Sequence, residues 1–182
     1  MREEITFNRT AVAIMIPSGE QVTIPIGAQA TITQSLGGSY TLITDRGLMV
    51  RISGHEVEAI GKTPEELPQV ADVSAITKEE LDEMVWEQLK TCFDPEIPVN
   101  IVDLGLVYLC DLEAGDDGYT VKVKMTLTAP GCGMGPVLAG DVQSKIEKLP
   151  GVKGANVDVV FDPVWDRSMM SEAARLQLGM MW

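Results

Sequence analysis

The chain has 182 residues, of which 45% are hydrophobic, and a formal charge of −13 from 14 basic and 27 acidic side chains. The hydrophobic share is sufficient for a packed core, and the negative charge would repel a phosphate backbone or an anionic membrane, so we expect neither as a partner. No apolar run reaches the roughly 18 residues of a membrane span, the start lacks the features of a secretory signal, and the three cysteines form no closely spaced pair. We therefore expect a cytoplasmic protein with reduced thiols.

Short runs that alternate apolar and polar residues follow one another between residues 11 and 60, separated by Pro-Ser-Gly, Gly-Gly and Asp-Arg-Gly turn signals. A period of two predicts half-buried strands, and no segment there has helical spacing. Such closely spaced strands predict a small antiparallel β domain, a barrel or a sandwich, over residues 1–62. Two prolines and an acidic pair predict a linker over residues 63–74.

The pattern changes at Thr77, where a capping-box signature precedes apolar residues at helical spacing. The predicted helix must end near Asp94, because the two prolines that follow cannot continue it. A turn over residues 115–118 then predicts a hairpin, whose second strand has an apolar face formed by Tyr119, Val121, Val123, Met125 and Leu127.

Apolar residues at every fourth position after Cys132 predict a second helix, and Val157, Val159 and Phe161 predict a third strand. A strand-helix-strand connection of this length is a crossover, which makes the small sheet mixed. Over residues 75–165 we therefore expect an α-β-β-α-β domain, followed by a helical tail over residues 166–182. The fold class is α+β.

Cys132 is the most conspicuous candidate for chemistry, because it lies where a strand ends and a helix begins, between Gly131 and Gly133. A cysteine at the N-terminus of a helix can have a lowered pKa, which would supply a thiolate for metal binding or nucleophilic attack. The alternative is that a glycine-rich turn contains a small buried residue, which is the usual situation of a reduced cysteine. The residues alone leave both interpretations open.

For three other candidate residues, a structural or surface role is preferred over a functional one. Cys92 lies at a predicted helix end and Cys110 inside an apolar strand, so we expect both to pack in the core. His55 has no cysteine or second histidine within twenty residues, and we expect it at the surface.

The acidic residues Asp94, Glu96 and Asp103 could orient the cysteine loop or bind a hard cation. A carboxylate pair beside prolines is equally typical of a helix stop and a turn, and that interpretation is preferred from the residues alone.

The segment from Asp94 to Tyr108, followed by Thr-Leu-Thr-Ala-Pro-Gly-Cys over residues 126–132, resembles a domain family linked to iron–sulfur protein maturation. The same domain occurs in SufT proteins, in the phenylacetate oxygenase assembly protein PaaD, in the N-terminal region of Mrp/ApbC-type scaffold ATPases and in a eukaryotic cytosolic targeting factor. The segment from Pro17 to Gly54 looks like the extra domain characteristic of SufT proteins. Many family members have proline after the cysteine, where this chain has Gly133.

This resemblance implies an accessory factor, not an enzyme, that assists cluster transfer from a SUF-type scaffold or carrier to apo client proteins. It implies that Cys132 is the functional cysteine and a metal or cluster ligand, surrounded by motif residues, namely Asp94, Glu96, Asp103, Thr128, Gly131 and Gly133. The expected cargo is a transient iron–sulfur cluster or iron, with no firmly bound cofactor.

An iron–sulfur cluster usually takes four thiolates or equivalent ligands, so one cysteine per chain implies either a homodimer that shares a cluster or transient ligation with a partner. Two alternatives remain at this point. The first is a metal-free adaptor that binds clients and scaffold. The second is a thiol enzyme with Cys132 as its nucleophile.

Overall fold

A computed structural model of the chain describes residues 2–66 and 76–180. The chain divides into two compact units, residues 1–66 and residues 67–182. The fold is mixed α+β, with a six-stranded antiparallel sheet in the first unit and a separate three-stranded mixed sheet in the second, in agreement with the predicted class. Most of the predicted linker, from residue 67 to residue 74, lies outside the described residues.

The first unit contains one six-stranded sheet in the order β1-β4-β5-β6-β2-β3. Its strands are β1 (Glu3–Thr6), β2 (Ala11–Met15), β3 (Gln21–Ile24), β4 (Gln29–Leu36), β5 (Ser39–Thr44) and β6 (Met49–Ile52). Alternate residues such as Val50 and Ile52 of β6 are buried, as the period of two predicts.

A 3₁₀ helix over Gly54–Ile60 follows these strands, in a segment whose sequence has no helical spacing. The segment is short and its buried residues, Val57, Ala59 and Ile60, do not follow a four-residue period. Ala59 and Ile60 belong to the hydrophobic core of the first unit.

The second unit has the predicted order of elements. They are α1 (Lys78–Leu89), β7 (Val107–Gly115), β8 (Gly118–Met125), α2 (Gly135–Glu147) and β9 (Val152–Val159), followed by a 3₁₀ turn (Arg167–Met169) and α3 (Glu172–Gln177). β7 pairs antiparallel with β8, and β8 pairs parallel with β9.

The Thr77 hydroxyl accepts the Glu80 N–H and the Glu80 carboxylate accepts the Thr77 N–H, so the capping box is present. No helix in the described part of the chain has the length and apolar character of a membrane span.

One buried face of the three-stranded sheet shares a hydrophobic core with helices α1 and α2. The residues of this core that are almost inaccessible to solvent are Leu81, Val85, Leu89, Val121, Val123, Met125, Leu138, Val142 and Ile146. The prediction that Phe161 belongs to the third strand was wrong, since β9 ends at Val159 and Phe161 is 44% exposed. β8 ends at Met125, whose parallel partner is Val159. The Val160 N–H still donates to the Met125 carbonyl at 2.8 Å, and beyond this bond β8 offers no further residue for pairing.

Gly105 fits a place that no other residue can occupy. Its φ is +72°, and a Cβ built on it would collide with the carbonyl oxygen of Met169. The chain before β7 and the segment after β9 are therefore in backbone contact at this point.

We predict that Gly105→Ala lowers the free energy of unfolding of the second unit by at least about 2 kcal/mol, through backbone strain and the collision with Met169. Gly140→Ala is the matched control, because Gly140 lies inside α2 with open space around its Cα. It should stay within about 1 kcal/mol of wild type, on the stabilising side. Urea denaturation followed by tryptophan fluorescence measures both, since all three tryptophans belong to the second unit. Equal stability of the two variants would contradict the close approach.

Candidate functional site

The topology of the three-stranded sheet brings two loops to the same end. The loop over residues 126–134 leaves the C-terminal end of β8, and the loop over residues 90–106 enters the N-terminal end of β7. β7 and β8 are antiparallel, with Val107 opposite Met125, so these loops are neighbours in space. The Thr126 N–H donates to the Leu106 carbonyl at 2.8 Å, which joins them directly.

Asp94 is the polar centre of the first loop and is only 6% exposed. One carboxylate oxygen, Oδ1, accepts the backbone N–H groups of Glu96 and Ile97, both at 2.9 Å. The side chain thereby closes a turn in a segment where Pro95 and Pro98 have no N–H of their own to donate.

The second carboxylate oxygen of Asp94, Oδ2, accepts the Thr128 hydroxyl at 3.2 Å. Thr128 follows Asp94 by thirty-four residues and belongs to the loop that contains Cys132. A single buried carboxylate therefore joins the two loops that meet at this end of the sheet. The structure brings together Asp94 and Thr128, two of the residues singled out in the sequence.

Cys132 lies half-buried in a tight turn directly before α2. Its N–H donates to the Ala129 carbonyl at 3.4 Å, and its carbonyl accepts the Gly135 N–H at 3.1 Å. The side chain packs at the edge of the main core of the second unit. Because α2 begins at Gly135, Cys132 lies just outside the helix, and its backbone carbonyl takes one of the N–H groups at the helix start.

The glycines around Cys132 have different roles. Gly131 has a φ of +80°, and a Cβ built there would meet nothing within 4 Å, so the turn requires its backbone conformation while the space around it is open. Gly131 and Gly133 are both exposed. In contrast, a Cβ on Gly135 would lie 2.7 Å from a methyl group of Leu127, so the start of α2 packs closely on the cysteine loop.

The other two acidic candidates do not share the surroundings of Asp94. The side chain of Glu96 is exposed, and its contact with Asp94 is made by its backbone N–H. Asp103 is half-buried, and its carboxylate accepts the side chains of Asn100 at 2.6 Å and Ser171 at 2.9 Å. Asp103 therefore faces the segment that follows β9.

The remaining cysteines lie in or beside the core of the second unit. Cys92 is 3% exposed and belongs to the core. Cys110 is half-buried at the edge of the same core. Burial raises the pKa of the Cys110 thiol to about 12, and the negative charges of Asp82 and Asp111 add to the rise. His55 is exposed in the first unit, as expected.

Sequence reasoning missed three residues near this site. Asn100 and Ser171 bind the Asp103 carboxylate, and the indole N–H of Trp165 donates to the Leu104 carbonyl at 2.7 Å. Ser171 carried a local signal, since a serine before Glu-Ala-Ala is a typical helix N-cap. Its contact with Asp103 spans 68 residues and has no local signal.

Within residues 2–66 and 76–180, no group of three or more His, Cys, Asp or Glu side chains is placed to hold a metal ion. The site consists of one half-buried thiol on a turn that a buried carboxylate supports. Such a site can supply a single thiolate to a metal centre or to an electrophile.

Comparison with known proteins identifies the domain that contains this site. Residues 82–159 match a family described as iron-sulfur cluster assembly protein. An Fe-S protein maturation auxiliary factor of Porphyromonas gingivalis is 48% identical over 98 residues, which span 54% of this chain and 90% of that protein. The chain belongs to this iron-sulfur cluster assembly family.

Further relatives agree with that membership. The Fe-S protein maturation auxiliary factor SufT of Staphylococcus aureus is 40% identical over 86 residues, covering 47% of this chain and 94% of that protein. A crystal structure from Bacillus anthracis, described as a domain of unknown function, DUF59, superimposes with a TM-score of 0.50 at 34% identity, covering 56% of this chain and 94% of that one. The matched family region, residues 82–159, lies entirely in the second unit and includes Asp94, Thr128 and Cys132.

We predict that Cys132 is alkylated before the other two cysteines at every pH between 7 and 10. Cys92 is buried, and Cys110 remains a protonated thiol in the folded chain until the pH approaches its raised pKa of about 12. Limited iodoacetamide labelling with mass-spectrometric mapping across this pH range measures the order. Labelling of Cys110 ahead of Cys132 would contradict the assignment of the accessible thiol.

Proposed function

We propose that this protein is an accessory factor in iron–sulfur protein maturation, which assists cluster transfer from a SUF-type scaffold or carrier to apo client proteins through the Cys132 thiolate. The observation that carries the proposal is the position of Cys132, a half-buried thiol of the family domain, on a turn supported by the Asp94–Thr128 hydrogen bond. Relatives named as Fe-S protein maturation auxiliary factors support the assignment to this process.

The arrangement of thiols favours a carrier over a storage protein. Four thiolates bind a cluster tightly, whereas in this chain Cys92 lies in the core and burial raises the pKa of Cys110, which leaves Cys132 as the thiol offered for ligation. A cluster bound through Cys132 would need its other ligands from a second copy of the chain, from the scaffold or from the client. A site with so few protein thiolates releases its cargo readily, which suits transfer.

An accessory, non-catalytic role fits the surroundings of the thiol. A cysteine nucleophile is normally activated by an adjacent base, and the second unit, residues 67–182, contains no histidine. The one buried carboxylate in the site, Asp94, already accepts three hydrogen bonds from its own two loops. The Asp94 carboxylate therefore stabilises the turn and is poorly placed to accept a proton from a substrate. Scaffold and client proteins in the cytoplasm are the partners that this function requires.

We predict that Cys132→Ser reduces the activity of iron–sulfur client enzymes to the level of a deletion strain, because serine replaces the soft thiolate by a hydroxyl that binds iron weakly. Complementation of a strain that lacks the gene, with client enzyme activity as the readout, measures this. Cys110→Ser is the matched control, because it makes the same atomic change on a thiol of the same domain that stays protonated, and it should retain most of the function.

Two outcomes would contradict the proposal. Full complementation by Cys132→Ser would mean that the chain acts without its thiol, as an adaptor between scaffold and clients. An equal loss in Cys132→Ser, Cys110→Ser and Cys92→Ser, with all three proteins folded, would mean that the cysteines act as one ligand set.

A further inference from the structure

The segment that follows β9 packs onto the loop that precedes β7 through a series of hydrogen bonds. The Tyr108 hydroxyl donates to the Pro163 carbonyl at 2.8 Å, and the Trp165 indole N–H donates to the Leu104 carbonyl at 2.7 Å. Further along, the Gln177 side chain donates to the Pro98 carbonyl at 2.8 Å.

Met170 and Ala174 are buried in the same core as the sheet. Residues 163–177, which we call the C-terminal strap, lie outside the matched family region and are nevertheless part of the packed domain.

Asp103 is the point where the strap and the loop are joined most closely. Its Oδ1 accepts the Ser171 hydroxyl and its backbone carbonyl accepts the Ser171 N–H at 2.8 Å. Its Oδ2 accepts the Asn100 amide, while the Asp103 N–H donates back to the Asn100 side chain at 2.9 Å. Both carboxylate oxygens thus have protein donors. This arrangement favours a supporting role for Asp103 over the metal-ligand role that the sequence had left open.

From Asp103 the contacts continue to Cys132. Asn100 pairs with Phe93 in an isolated antiparallel bridge, and the next residue, Asp94, donates its N–H to the Val99 carbonyl at 3.3 Å. Asp94 then accepts the Thr128 hydroxyl in the turn that contains Cys132. The contacts of Ser171 with Asp103, of Asp103 with Asn100 and of Asp94 with Thr128 are side-chain hydrogen bonds. The Asn100–Phe93 bridge and the peptide bond from Phe93 to Asp94 connect them, so the supports form one contiguous series from Ser171 to the cysteine loop.

We propose that Ser171 and Asp103 are positioning residues for Cys132, and that the C-terminal strap is a working part of the functional site. The inference rests on the proposed function only in taking Cys132 as the working residue. When the Ser171–Asp103 contact is lost, the loop over residues 98–105 loosens, Asp94 loses its fixed turn, and the half-buried thiol becomes more accessible.

The test is the rate of iodoacetamide alkylation of Cys132 in the full chain, with Cys92 alkylation in the same samples as the measure of global unfolding. We expect Ser171→Ala to raise the Cys132 rate roughly fivefold, the shift in a local opening equilibrium that one or two lost hydrogen bonds produce, with no change at Cys92. Ser171→Thr keeps the hydroxyl and should restore the wild-type rate. Ser168→Ala is the matched control, because Ser168 is an exposed serine of the same strap whose backbone contact the change preserves.

Trp165→Phe provides a second variant in case Ser171→Ala does not fold. It removes the indole donor to Leu104, keeps an aromatic ring of smaller volume at this position, and should also raise the Cys132 rate while leaving Cys92 unlabelled. An unchanged Cys132 rate in folded Ser171→Ala and Trp165→Phe, or equal rises at Cys132 and Cys92, would overturn the inference. The assay uses no cluster, so its failure is distinguishable from failure of the proposed function, which Cys132→Ser complementation tests separately.

Discussion

The buried carboxylate of Asp94 is the constraint on which the rest of the site depends. A carboxylate out of contact with water is costly unless hydrogen bonds compensate it, and Asp94 accepts two backbone N–H groups and one hydroxyl. Those donors come from two separate loops, so the same requirement that stabilises the charge also fixes the loops relative to each other. The prolines beside Asp94 strengthen this arrangement, because they limit the conformations of the turn without competing for the side chain.

This constraint explains how a single thiol can be both ordered and accessible. The turn that contains Cys132 is anchored on one side by Thr128 and on the other by the close packing of Gly135 against Leu127. Between these anchors the exposed Gly131 and Gly133 leave room for a partner to approach. In the function that we propose, a turn with one thiolate ligand would suit a protein that receives a cluster and passes it on, since strong binding by a complete ligand set would oppose release.

Local signals in the sequence predicted most of the second unit. The capping box at Thr77, the turn over residues 115–118 and the apolar alternation of β8 depend on neighbouring residues, and the structure contains all three. Phe161 was misplaced because the end of a parallel strand is set by its partner, not by its own alternation. The role of Asp103 could not be predicted, since its carboxylate is bound by Ser171 across 68 residues of the chain. Cys132 stood out in the sequence through its glycines, whereas the support of its turn is a property of the folded chain.

The most direct test of the account is the amount of iron and sulfide bound per chain after anaerobic reconstitution, measured for wild type and Cys132→Ser together with the sedimentation of each protein. The account predicts that any cluster that wild type binds by itself is labile and shared by two chains, in a dimer that a chelator dissociates, and that Cys132→Ser remains a metal-free monomer. Equal iron and sulfide in both proteins, or a wild-type monomer with a chelator-resistant cluster, would contradict the assignment of Cys132 as the transient ligand.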